Sequence, residues 1–145
     1  MSSPAQVDPR GLRAVAGISA AVLALVLVTP EPINVIVLAG QVAVFAVAAV
    51  FGLNRSPYSI LFATVVRPRI GPPAELEDAR PPRFAQVVGL GFTGAALIAF
   101  LAGATTVGYI ATAFALVAAL LNAAVGLCLG CELYLVLRRL APATA

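Results

Sequence analysis

Apolar residues run along this chain in long blocks broken at a few short polar points. A polar head reaches Arg13, and residues 14–28 are then apolar up to Thr29-Pro30-Glu31-Pro32. Residues 33–53 carry no charge, and Asn54-Arg55 closes them. Residues 84–131 also carry no charge. A helix crosses a bilayer core in about 20 residues, so this last block must fold back on itself. Its one credible turn is Gly103-Ala104-Thr105-Thr106. The pattern predicts spans at about 13–29, 33–53, 84–103 and 107–137.

Between the second and third spans lies a different pattern. Ser56-Pro57 can cap and start a helix. Tyr58, Leu61, Phe62, Val65 and Val66 then fall on one helical face, and Arg67-Pro68 should end the helix. It is too short to span, so it should lie in the interface with that face inward. Residues 67–83 hold five prolines and half of the acidic residues, which predicts a loop without a long helix. The expected fold is an all-α membrane protein. It is a four-transmembrane-helix bundle with a short interfacial helix between spans two and three and a cytoplasmic loop over 54–83. Residues 1–145 form a single integral membrane domain. A basic head before an apolar run also opens a signal peptide, but no small-x-small cleavage site follows, so a retained first span is expected. The chain reads as two hairpins joined by a loop, with no convincing internal repeat.

Composition supports lipid as the solvent. The chain is 61% hydrophobic and 10% charged, against about 45–50% and about 25% in soluble domains. All nine basic residues are Arg, and they fall at the head, in the 54–83 loop and at Arg138-Arg139, leaving both hairpin turns without any. Positive charge collects on cytoplasmic loops. Both termini are therefore expected in the cytoplasm, with the protein multi-pass in the plasma membrane and the lipid bilayer as its first partner. The same topology accounts for the net charge of +3 without a nucleic-acid partner.

Candidate chemistry is sparse. With no His in the chain, His-ligated metals, His proton relays and Ser-His-Asp triads are excluded. No carboxylate or base is expected at mid-membrane, which argues against an ion-coupled transporter. Gln41 and Gln86 are expected to hydrogen-bond between helices.

The main handle is Cys128-x-x-Cys131, with Glu132 beside it. On one continuous fourth span, the two thiols and Glu132 share a face by their i, i+3, i+4 spacing, near the cytoplasmic end. Neighbouring Arg10 and Arg83 would favour thiolate, and Glu132 could take a proton or pair with Arg10, Arg13 or Arg83. Within a regular helix the β-carbons at i and i+3 diverge, which disfavours a disulfide. The helix dipole near a C-terminus also disfavours thiolate. Three readings stay open: thiol or sulfur chemistry, packing, and half of a soft-metal site that a homo-oligomer would complete. Asn122, Gly126 and Gly130 recur every four residues as a close-packing stripe, with Gly89, Gly91 and Gly94 as its facing partner.

Several segments together resemble a known family. They are Asp8-Pro9-Arg10, Ser56-Pro57, Arg67-Pro68-Arg69, Pro82-Arg83-Phe84-Ala85-Gln86 with Gly89, and the run from Gly126 through Cys128, Cys131 and Glu132 to Tyr134. The chain resembles, over nearly its whole length, the bacterial membrane family called domain of unknown function 4395. The resemblance implies no settled activity, and no cofactor is expected. The cysteine pair leads to an expected membrane component of thiol-redox or sulfur handling, and the resemblance implies a thioredoxin-like or sulfurtransferase partner in the cytoplasm. The alternatives are a non-catalytic assembly subunit and a small-solute permease.

Overall fold

The computed structural model describes residues 5–141. Both chain ends, expected in the cytoplasm, lie outside the described residues. Within them the protein is all-helical apart from one two-residue ladder. Four helices are long and apolar enough to cross a membrane: α1 (Pro9–Val28), α2 (Ile33–Phe51), α5 (Arg80–Leu101) and α6 (Thr105–Val125). They mark a membrane-embedded protein.

Short elements connect them. After α2 come α3 (Pro57–Leu61), a π-helical turn (Phe62–Val66) and α4 (Arg67–Ile70), stopped by Gly71 at φ 76°. Helical structure thus runs past Arg67-Pro68, where it was expected to end. The proline ring displaces the carbonyl four residues back, and the wide turn covers that position, Thr64. The expected inward face is also narrower. Phe62 is buried and Tyr58 half-buried, whereas Leu61, Val65 and Val66 are exposed. The proline-rich loop ends in β2 (Glu77–Asp78), paired antiparallel with β1 (Gln6–Val7). After α6, helix α7 (Leu129–Leu140) completes the fold.

That ladder sets side by side two copies of one motif. Asp8-x-Arg10-x-x-Arg13 opens α1, and Asp78-x-Arg80-x-x-Arg83 opens α5. In each, the Asp carboxylate accepts the Arg backbone N–H two residues on, at 2.9 Å, and pairs with that guanidinium. The second Arg of each copy reaches into the other half. Arg13 donates to the carbonyls of Ala123 and Ala124 at the end of α6, and Arg83 to those of Ala49 and Val50 at the end of α2. The last carbonyls of a helix lack partners in the helix and carry partial negative charge, so a guanidinium there satisfies both. Helix contacts are reciprocal too, α1 on α6 and α2 on α5. This is a two-fold relation between halves, which hydropathy alone did not reveal.

The Asp caps can be tested by pH. The Arg10 side chain holds the Asp8 carboxyl below its ordinary value. The contribution is therefore complete above about pH 4 and fades as pH falls through the lowered folded value. Asp8→Ala is expected to cost about 1 kcal/mol near neutral pH. Thermal unfolding in detergent checks this. The gap between wild type and variant should close on acidification below about pH 4.

Leu23, Val26, Leu38, Ala96, Phe100 and Ala115 form the inner core, and large apolar residues such as Ile36, Ile98 and Phe114 face outward. Several polar groups between helices are paired. Gln41 donates to Ser19 Oγ (3.3 Å) and accepts from the Tyr58 hydroxyl (2.7 Å), and Asn34 reaches Tyr109. Gln41 thus links α1, α2 and α3.

Candidate functional site: a cysteine pair at a helix start

Sequence patterning suggested one helix over 107–137. The structure has two, because α6 stops at Gly126. Gly126 takes a left-handed conformation (φ 72°), its N–H bonds the Asn122 carbonyl, and the Leu127 N–H reaches back to Leu121. This is a left-handed helix stop, for which glycine is the favoured residue. The chain then runs extended through Cys128, and α7 begins at Leu129.

The consequence for the cysteines reverses the expectation. They open a helix rather than close one. Cys128 is the N-cap of α7, and its Sγ accepts the Cys131 backbone N–H at 3.2 Å. The two sulfurs are bonded to each other, with Cα atoms 5.1 Å apart. The objection to a disulfide assumed both residues inside a regular helix. Cys128 lies outside it (φ −89°, ψ 102°), so its side chain can turn toward Cys131. The dipole argument changes sign as well, since a helix start favours negative charge on sulfur.

The other site candidates separate. Glu132 is exposed, and no ion pair to it occurs among the described residues. Arg10 is held by Asp8 and the Gly71 carbonyl, and Arg83 by α2 carbonyls. Neither is aimed at sulfur. Arg13 is the guanidinium beside the break, with its Cδ 4.0 Å from where a Gly126 Cβ would stand.

The four-residue stripe does not follow one helix. Asn122 is on α6, Gly126 is its stop, and Gly130 is on α7. Gly130 lies against Ala85 of α5, where an added Cβ would be 2.6 Å from the Ala85 Cα. Gly89 packs on the Phe45 ring of α2, and Gly91 and Gly94 have nothing within that reach. Phe84 and Tyr134 pack at a tilt nearby, with ring centres 5.6 Å apart, and Arg138 lies over the Tyr134 ring. These contacts fix the cysteine-bearing turn on the start of α5.

Beside the pair is a cavity of about 600 Å³, walled by α1, α2, α5, α6 and α7. Cys128, Cys131, Asn122, Gln86, Ser56 and Ser59 all line it. The expected interhelical role holds for Gln41 but not for Gln86, whose Oε1 is buried with no partner among the described residues. Ser56 Oγ is in the same condition. The two-fold relation explains part of this set. Ser56-x-x-Ser59 opens α3 after Gly52 ends α2, as Cys128-x-x-Cys131 opens α7 after Gly126 ends α6. Both turns come to one cavity, one with hydroxyls and one with sulfur. The motif was visible in the sequence, but its significance depended on recognising the repeat.

A model of the family described as Domain of unknown function (DUF4395) matches residues 7–139. Neither a curated protein nor a solved structure matches the chain.

Proposed function

Because the chain belongs to the family described as Domain of unknown function (DUF4395), its activity has to be read from its own residues, and we propose that it is a membrane component of thiol–disulfide exchange. The observation that carries this is the position of Cys128 at the start of α7, bonded to Cys131. Reactive dithiols gain from a helix N-terminus, where the dipole favours thiolate.

The four long helices form a bundle in the plasma membrane, with both termini and the 54–83 loop in the cytoplasm. Guanidinium groups are costly in hydrocarbon, and the nine Arg residues fall at one end of the hairpin pattern. The helical stretch at 57–70 lies in the inner interface. So does α7, whose Leu129, Leu133, Val136, Leu137 and Leu140 are exposed on one side. The cysteine turn then faces the cell interior.

The exchange balances with a dithiol partner. A thiolate of a cytoplasmic thioredoxin-like protein attacks the Cys128–Cys131 bond and forms a mixed disulfide with Cys128, releasing Cys131 as thiolate. The partner's second thiolate then attacks its own sulfur in that bond, leaving the partner oxidised and Cys128 reduced. Sulfur carriage to a sulfurtransferase would use the same nucleophile.

Alkylation of freed thiols by a mass tag across a redox titration tests this. One reversible two-electron transition is the expected result. Thiols that never titrate together, or a bond no thiol protein can reduce, would sink the proposal.

A further inference from the structure

We propose that the cavity beside Cys128–Cys131 binds a lipid-soluble quinone, and that the cysteine pair delivers two electrons to it. The inference rests on the exchange reading of the same pair and adds its second substrate.

Three observations point to this ligand class. First, the cavity, at about 600 Å³, falls within the range of about 300–1,000 Å³ typical of small-ligand sites. Second, its polar groups are few and unpaired. Ser56 is 1% exposed with an unpartnered Oγ, and Gln86 Oε1 is buried and unpartnered. Buried polar atoms ordinarily find partners, so two orphans in one wall leave room for a ligand that supplies them. A quinone carbonyl accepts from the Ser56 hydroxyl, and a hydroquinone hydroxyl donates to Gln86 Oε1. Both redox forms are therefore accommodated. Third, the cavity reaches the lipid-facing side. Phe92 and Phe114 line it while being 41% and 62% exposed on the outer surface of α5 and α6. A ligand dissolved in the bilayer can enter there.

The step balances as follows. The Cys128 thiolate adds to the quinone ring, forming a C–S bond. The Cys131 thiolate attacks Cys128 Sγ, so the S–S bond forms and the C–S bond breaks. Its electron pair stays with the ring, which takes up two protons as hydroquinone. The partner dithiol then reduces the disulfide again.

The test uses the whole protein in nanodiscs, a decyl-substituted benzoquinone as probe and reduced thioredoxin as electron donor. Quinone reduction is followed by absorbance, and disulfide reduction by mass tagging. The wild type should reduce quinone catalytically. Ser56→Ala and Gln86→Leu should each raise the quinone KM by about tenfold, the scale of one lost buried hydrogen bond, while reduction of the disulfide by thioredoxin is unchanged. Ala118→Phe, which puts a ring into the cavity, should block quinone turnover and spare that exchange. The Cys128→Ser/Cys131→Ser protein should bind the probe without reducing it. Exchange that persists with no quinone turnover, or a KM indifferent to all three cavity variants, would overturn the quinone site alone. Phospholipid retained in the cavity that the probe cannot displace would do the same. Loss of exchange with thioredoxin would instead remove the reading beneath it.

Discussion

Gly130→Ala is expected to dislodge the cysteine-bearing turn and abolish its exchange activity. The added Cβ would stand 2.6 Å from both the Cα and the Cβ of Ala85. One of these is backbone, so no side chain can rotate away. Either α7 lifts from α5 or both helices shift. Overpacking of this kind costs about 1–3 kcal/mol, and here it falls on the closest of the contacts that hold a twelve-residue helix against α5. The four long helices do not depend on it, so the protein should still insert. The expected signature is a protein of normal abundance whose Cys128 and Cys131 become freely alkylated after mild reduction and whose exchange falls to background. Ala85→Gly in the same chain removes a clashing methyl and should restore part of the activity. Normal exchange by Gly130→Ala would mean that α7 does not sit where the structure has it.

Single cysteine replacements should behave unequally. With Cys131→Ser, the Cys128 thiolate retains its place at the start of α7 and has no resolving neighbour. It should therefore accumulate a mixed disulfide with one-cysteine thioredoxin whose thiol has been activated as its thionitrobenzoate disulfide, by displacing thionitrobenzoate. With Cys128→Ser, the remaining thiol lies inside the helix, at the third α7 residue, and should trap far less. Both variants lose turnover entirely. Serine is nearly isosteric and can still cap the helix, so stability should hold. Non-reducing electrophoresis with purified thioredoxin reads the difference. Equal trapping by both variants would mean that the cap position gives Cys128 no advantage.

Much of this architecture was legible in the hydropathy pattern. The charge-free blocks at 33–53 and 84–131 and the turn at Gly103 locate three of the four long helices nearly as they are. The first and third begin earlier than expected, at Pro9 and Arg80. Proline suits the first helical turn, and the Asp before each start anchors it. The break at Gly126 was hidden for a specific reason. In an apolar run a glycine looks the same whether it packs a helix or stops one. What separates the two is the backbone, since only a stop needs positive φ. The repeat was hidden because its two copies share three residues out of six, and hydropathy does not weigh Asp and Arg positions. Aligning Asp8, Arg10 and Arg13 with Asp78, Arg80 and Arg83 would have exposed it. The unpartnered atoms of Ser56 and Gln86 could not be foreseen, because only three-dimensional packing decides which polar groups go without a partner.

The most direct measurement is labelling of reduced Cys128 in Cys131→Ser protein by a membrane-impermeant maleimide, in sealed vesicles of both orientations. The account predicts labelling in inside-out vesicles and none in right-side-out ones. Labelling confined to right-side-out vesicles would place the cysteine turn outside the cell and contradict it.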